Sequence, residues 1–135
     1  MSTRLRIGSL IIATMITVAH ISCIKANADD CGLIKGYATA YCLDGVTATG
    51  KHTREGICAT GNPEWIGMTA VIYQRLPDNK VGEIIGIYEI EDTGCKPTVM
   101  DIWEPDLDRC QEFMNRVYED GCEGKVWIQI IDAEG

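Results

Sequence analysis

The sequence predicts a small, mainly β domain, a barrel or a sandwich, with a single helix. Three observations support this fold class: apolar and polar residues alternate with period two in several short segments, turn residues separate those segments, and one segment near the carboxyl end has helical periodicity. The chain has 135 residues, and no repeat or low-complexity stretch divides residues 29–135. We therefore expect one domain over that range.

Strands are expected wherever the alternation is bounded by turns. The clearest case is near the carboxyl end, where Val126, Ile128 and Ile130 occupy every second position. Residues that favour turns, such as Asp44-Gly45, separate the apolar segments. The predicted strands are 33–41, 69–74, 82–92, 99–103 and 125–130.

The helical segment follows Pro105, where Asp106 is a suitable N-cap, and Gly121 is a suitable terminator. Charged residues occupy the other side of this helix, so we expect its apolar stripe to pack on the sheet. That stripe consists of Leu107, Cys110, Met114 and Val117.

Residues 1–28 have the pattern of a signal peptide. Arg4 and Arg6 form a basic start, residues 7–24 are largely apolar, and Ala26-Asn27-Ala28 is a small-residue cleavage site. We expect cleavage after Ala28, which leaves a secreted or envelope-held protein without stable membrane insertion. Retention as a membrane anchor is the alternative, because the apolar run is about long enough to span a bilayer.

Cleavage would change the charge and the cysteine count. The whole chain has a net charge of −8; losing three of its twelve bases and none of its twenty acids leaves −11, which disfavours nucleic acid as a partner. With two histidines and no C-x-x-C, we expect no metal and no cofactor. The whole chain has seven cysteines, and cleavage would remove Cys23 and leave six. Six cysteines in an oxidising compartment predict three disulfides, with fifteen possible connectivities. The cysteines concerned are Cys31, Cys42, Cys58, Cys95, Cys110 and Cys122.

Two aspartates are expected at the ends of apolar strand faces. If residues 84–92 form a regular strand, Asp92 shares a face with Ile84 and Ile90, while Asp101 shares a face with Trp103. Apolar surroundings raise the pKa of a carboxyl group, which suits a general acid acting on a glycosidic oxygen. The alternative is that these aspartates accept hydrogen bonds from loop amides.

Other candidates are weaker. Glu89 and Glu91 are expected on the opposite strand face from Asp92, in solvent, and His52 in a solvated loop. Trp65 and Trp127, like Trp103, could stack on sugar rings, although isolated aromatics more often pack in cores.

The sequence resembles the three-aspartate (3D) domain family over about residues 33–131. The order and approximate spacing of several short motifs carry this resemblance. These motifs are Ala38-Thr39-Ala40-Tyr41, Thr47-Ala48-Thr49-Gly50, Gly56-Ile57-Cys58-Ala59, Ile66-Gly67, Val71-Ile72-Tyr73, Glu91-Asp92-Thr93-Gly94 and Met100-Asp101-Ile102-Trp103.

The resemblance implies a six-stranded double-psi β-barrel, the fold of MltA-type lytic transglycosylases, RlpA-like proteins, barwin and expansins. It also implies a cell-wall context, with peptidoglycan or another wall polysaccharide as partner. Asp101 matches the catalytic acid of the MltA-type enzymes, and Asp92 is the aspartate of the family's Asp-Thr-Gly element. The family's first aspartate, expected just after Ala59, is absent, and Gly61-Asn62-Pro63 stands there.

The resemblance, taken with these residues, implies two possible functions. The first is a lytic transglycosylase or glycosidase-like enzyme in which Asp101 acts as acid and then base, and Asp92 positions or polarises it. Thr49 and Thr93 are then candidates to hydrogen-bond the sugar, and Tyr41 and Trp103 to line its groove. The second is a non-catalytic secreted module, similar to barwin or expansin, that binds polysaccharide or inhibits a partner.

Overall fold

The computed structural model describes residues 32–132 and has six strands and one α-helix. The predicted leader and Cys31 lie outside the described residues. Within this part of the chain, no helix is long and apolar enough to cross a membrane. The elements are β1 (Ile34–Tyr41), β2 (Ile57–Thr60), β3 (Thr69–Arg75), β4 (Val81–Thr93), β5 (Val99–Trp103), α1 (Leu107–Tyr118) and β6 (Lys125–Ile131).

The strands pair in a closed ring with the order β1-β5-β2-β4-β3-β6. Two of the pairs, β1 with β5 and β2 with β4, are parallel. The other neighbours in the ring are antiparallel. The prediction of a mainly β domain with one helix is confirmed.

Alternation along the strands separates an inner face from an outer face. The inner residues form the main core, to which α1 adds Phe113 and Val117. A second cluster lies on the outer face of β3 and β6, where Tyr73 packs with Trp127. Strand residues of the main core include Ala38, Cys58, Ile72, Ile90, Met100, Ile102, Val126 and Ile128.

Period two predicted the bounds of five strands closely and missed one strand. The bounds of β1, β3, β4, β5 and β6 lie within about one residue of the predicted ones. β2 showed no alternation because all four of its residues are buried.

The helix begins where the sequence predicts. The Asp106 carboxylate caps it by accepting a hydrogen bond from the Arg109 N–H at 2.8 Å. It ends at Tyr118, because the chain continues as a 3₁₀ turn through Gly121. The expectation that Leu107 packs inward is wrong: its side chain is 76% exposed.

The prediction that Ile84, Ile90 and Asp92 share one face of β4 is wrong, because a β-bulge interrupts the alternation near each end of the strand. Against β3, Ile72 pairs with Gly86 but Tyr73 pairs with Ile84, so Ile85 is an extra residue. A β-bulge of this kind reverses the alternation. Ile85 therefore lies in the core and Ile84 is exposed.

The second bulge lies beside the predicted site. Against β2, Cys58 pairs with Ile90 but Ala59 pairs with Asp92, so Glu91 is the extra residue. Cys58 faces the core, and Ala59, its neighbour in the strand, faces outward. Asp92 therefore lies on the outer face with Ala59, away from Ile90.

Candidate functional site

Four adjacent strands bring Thr39, Asp101, Ala59 and Asp92 into one line across the outer face of the barrel, here called the acidic row. The register pairs Thr39 with Asp101, Asp101 with Ala59, and Ala59 with Asp92. Because neighbouring strands are about 4.8 Å apart, the Cα atoms of the two aspartates are about 10 Å apart. The two predicted catalytic residues thus share one surface, with the small Ala59 side chain between them.

Asp101 has the environment that the sequence predicts for a general acid. Its side chain is half-buried, and its Oδ1 accepts a hydrogen bond from the Thr39 hydroxyl at 2.8 Å. Burial raises the pKa of Asp101, and the Thr39 hydrogen bond offsets this increase only in part. The protonated form therefore persists to higher pH than in an exposed aspartate. Thr39 was missed as a site residue, although its place two residues before Tyr41 put it on the same strand face.

Tyr41 lies at the end of β1 beside both carboxylates. Burial and then the negative charges of Asp92 and Asp101 raise the pKa of Tyr41, so its hydroxyl keeps its proton. Among the described residues, no group forms a hydrogen bond with this buried hydroxyl. A buried O–H without a partner is costly, and a ligand oxygen in the row would satisfy it.

Asp92 holds the loop between β1 and β2 (residues 42–56, the site loop). Its Oδ1 accepts hydrogen bonds from the Ala48 N–H at 3.1 Å and from the Thr93 N–H at 2.9 Å. The loop-amide alternative raised for this aspartate is therefore present in the structure. Asp92 supplies a fixed carboxylate to the acidic row and anchors the loop beside it.

Glu91 is the site residue that sequence reasoning misjudged. It is buried rather than solvated, and both of its carboxylate oxygens accept hydrogen bonds from the Arg54 guanidinium. Burial raises the pKa of Glu91, but hydrogen bonds from Arg54 and Glu89 outweigh it and leave the pKa lowered. The carboxylate of Glu91 therefore stays ionised and ties Arg54, and with it the site loop, to β4. The bulge that buries Glu91 has no signature in the alternation.

Two residues predicted to contact substrate form hydrogen bonds between the site loop and the strands. The Thr49 hydroxyl donates to Glu91 Oε1 at 3.2 Å, and the Trp103 Nε1–H donates to the Leu43 carbonyl at 2.9 Å. Trp103 is buried. Thr93 is exposed at the end of β4, next to Asp92. Sugar contact by Thr49, Thr93 and Trp103 stays a prediction.

The described cysteines are thiols in this structure, so the three disulfides stay a prediction. Burial raises the pKa of the Cys110 thiol, and so do the charge of Cys42 and a hydrogen bond with it. The hydrogen bond places these two side chains close together. Burial also raises the pKa of Cys58, with a further contribution from Cys95. The thiols concerned are Cys42, Cys58, Cys95, Cys110 and Cys122.

No metal centre is formed by the part of the chain that the structure describes. Within residues 32–132, no group of three or more His, Cys, Asp or Glu side chains is placed to hold a metal ion.

Replacing Asp101 with Asn should stabilise the protein at neutral pH. The pKa of Asp101 is raised in the folded state. The free energy of unfolding of the wild type is therefore not reduced by Asp101 below the pKa of aspartate in the unfolded chain, about 3.9. It falls as the pH rises from there through the folded pKa. Urea unfolding of wild type and Asp101→Asn should therefore give similar stabilities near pH 3 and a more stable variant at pH 7. Asp44→Asn, at an exposed loop position, is the control. A stability difference that does not depend on pH would contradict the buried, raised carboxyl.

Replacing Arg54 with Met should loosen the site loop. Glu91 would become a buried carboxylate without its cation, at a cost of about 1–3 kcal/mol, a range reduced for the partial exposure of Arg54. Trypsin should then cut faster at Lys51 in native conditions. Arg116→Met removes an exposed base on α1 that forms no ion pair with another described residue, and it should cost less than about 1 kcal/mol. Equal proteolysis rates in the two variants would exclude the anchoring role of Arg54.

Comparisons of this chain with protein-family models, curated proteins and solved structures gave no match.

Proposed function

We propose that this protein is a secreted or envelope-held enzyme that cleaves peptidoglycan glycan strands by a lytic-transglycosylase-like reaction. Asp101 carries this proposal, because its half-buried carboxyl has a raised pKa and lies in an outer-face row beside the Tyr41 hydroxyl, which has no hydrogen-bond partner among the described residues. The resemblance to 3D domains supplies the substrate class, since the row itself does not distinguish one glycan from another.

The reaction needs one carboxyl that changes role. Protonated Asp101 gives its proton to the glycosidic oxygen, the bond from that oxygen to C1 breaks, and the leaving sugar departs with a new hydroxyl. The 6-hydroxyl of the remaining sugar then bonds to C1 and gives its proton to the Asp101 carboxylate. The product is a 1,6-anhydro sugar, and Asp101 ends protonated, so no water is consumed.

Asp92 and Tyr41 assist from the same row. A carboxylate at Asp92, about 10 Å from Asp101 between Cα atoms, places negative charge where the oxocarbenium-like transition state carries positive charge. The Tyr41 hydroxyl can donate to a sugar oxygen. Asp92 is thus a positioning and electrostatic group rather than a second proton donor.

The strand pairing supports the double-psi β-barrel that the resemblance implies. Six strands in a closed ring with two parallel pairs, β1 with β5 and β2 with β4, are compatible with it. A barrel of this size is filled by side chains, so a ligand must bind on its outer face or at its ends. The acidic row lies on the outer face.

One observation favours the non-catalytic alternative, a wall-binding module. At the position of the family's missing first aspartate, a side chain on Gly61 would lie 2.2 Å from the Cys95 carbonyl oxygen. Asn62 instead caps a short 3₁₀ turn by accepting a hydrogen bond from the Glu64 N–H. The local fold therefore leaves no room for a carboxylate at residue 61.

We also propose that the exported protein is disulfide-bonded, with Cys42–Cys110 and Cys58–Cys95 as two of the bridges. The first pair would join the end of β1 to the first turn of α1, and the second would join β2 to the loop that follows Asp92. Formation of both would leave Cys122 for Cys31 if three bridges form. Export into an oxidising compartment supplies the oxidant.

Digestion of purified peptidoglycan tests the enzymatic proposal. The oxidised mature protein should release anhydro-muramyl products, identified by mass, and Asp101→Asn should reduce their rate by about 10²- to 10⁴-fold, the usual contribution of a general acid. Asp108→Asn, which removes an exposed acid on α1, is the matched control and should keep full activity. Sedimentation with the wall without any product would instead identify a binding module.

Peptide mapping without reduction tests the disulfides. Protein recovered from an oxidising compartment should yield the linked peptides Cys42–Cys110 and Cys58–Cys95, because Cys42 and Cys110 are within hydrogen-bonding reach and the charge of Cys95 contributes to the raised pKa of Cys58. Cys42→Ser should leave Cys110 reactive toward a thiol reagent and leave the second bridge intact. A bridge between Cys42 and Cys58, or free thiols at all four positions, would contradict the assignment.

A further inference from the structure

Arg75, at the end of β3, is a buried cation without a counter-ion among residues 32–132. Its side chain is 9% exposed, and it takes part in no ion pair with any residue of the described part of the chain. Within the described part of the chain, its two hydrogen bonds go to neutral oxygens, at 3.3 Å to Asn79 Oδ1 and 3.2 Å to the Gly36 carbonyl, and its Nε–H finds no acceptor there. Buried charges are normally paired, so this arrangement is compatible with an anion that binds nearby.

The surroundings of Arg75 are aromatic and basic. The guanidinium lies 5.8 Å from the centre of the Tyr37 ring and 5.9 Å from that of Trp127. The Lys35 amine lies 5.8 Å from the Trp127 ring, and Lys125 is the register partner of Tyr37. These five residues are here called the basic face. Neither lysine forms an ion pair with another described residue, although the chain as a whole is acidic.

β1 connects the basic face to the acidic row. Tyr37 and Thr39 are alternate residues of β1 on the same outer face, and they pair with Val99 and Asp101 of β5. Alternate residues of a strand are about 7 Å apart, so one extended ligand can reach from the Tyr37 ring to the Asp101 carboxyl. Tyr37 is 47% exposed, which leaves an aromatic surface open along this path.

We propose that the basic face is a glycan subsite that binds a sugar carboxylate, with Lys35, Lys125 and Arg75 supplying the positive charge and Tyr37 stacking on the sugar ring. In peptidoglycan the fitting group is the lactyl carboxylate of a muramic acid residue without its peptide. The identity of this ligand as a wall glycan rests on the proposed function, whereas preference for a carboxylate over a neutral group follows from the basic face alone.

Binding of a matched ligand pair tests the subsite. The ligands are a disaccharide that contains N-acetylmuramic acid and the same disaccharide with its carboxyl amidated, titrated into oxidised Asp101→Asn protein so that neither is consumed. The acid should bind about tenfold more tightly than the amide at low salt, and added salt should reduce this preference. Lys125→Gln and Arg75→Gln should each reduce it to about twofold or less, and Tyr37→Ala should weaken both ligands.

Two controls separate the subsite from other roles. Arg116→Gln removes an exposed base on α1 and should leave the preference intact. Arg75 also packs on Trp127, so Arg75→Gln can unfold the protein. Lys125 is partly exposed, so Lys125→Gln should stay folded, and its effect on the carboxylate preference then decides whether the subsite exists. Equal affinity for acid and amide, or an unchanged preference in folded Lys125→Gln, would overturn the subsite. Glycan cleavage without any carboxylate preference refutes only the subsite, while carboxylate preference without cleavage refutes only the enzymatic proposal.

Discussion

The candidate site depends on one extra residue in β4. Without the bulge at Glu91, the alternation that puts Ile90 in the core would put Asp92 there too, where an ionised carboxylate is strongly disfavoured. With the bulge, Asp92 comes into register with Ala59 and faces outward in line with Asp101. The residue that is displaced, Glu91, becomes the buried partner of Arg54. One irregularity therefore creates both the acidic row and the anchor of the loop beside it.

The inner face of the barrel forms the core that stabilises the fold, whereas the outer face carries the candidate site. Inner residues such as Met100 and Ile102 are fully buried, while Asp101 between them points outward and is only half-buried. The pKa of this carboxyl is raised because the side chain is partly buried, yet the side chain keeps some exposed surface that a ligand can reach. The same position costs stability when the carboxyl is ionised, which is a common feature of groups tuned for proton transfer.

The sequence was sufficient wherever alternation was regular and insufficient wherever it was interrupted. Alternation predicted β1 and β6 because each has one face in the core, and the cap at Asp106 predicted the start of α1. It could not predict β2, whose residues are buried on both faces, or the two bulges in β4, which depend on pairing with distant strands. Asp101 lies on a regular strand and was placed on the correct face. Asp92 was assigned to the wrong face, because the bulge that moves it leaves no local pattern.

Net charge is a poor guide to what this surface can bind. The acidity of the chain argues against anionic wall polymers as ligands, since like charges repel over distances up to about a Debye length. Within that distance, however, the order of charge along β1 matters more than the total. Lys35 lies at the amino-terminal end of the outer face of β1, and Thr39, the partner of Asp101, lies near its carboxyl-terminal end. A ligand with one anionic group and one neutral glycosidic bond would meet favourable charge at the first position and a proton donor at the second, so strong overall acidity is compatible with a carboxylate-bearing glycan in a single orientation.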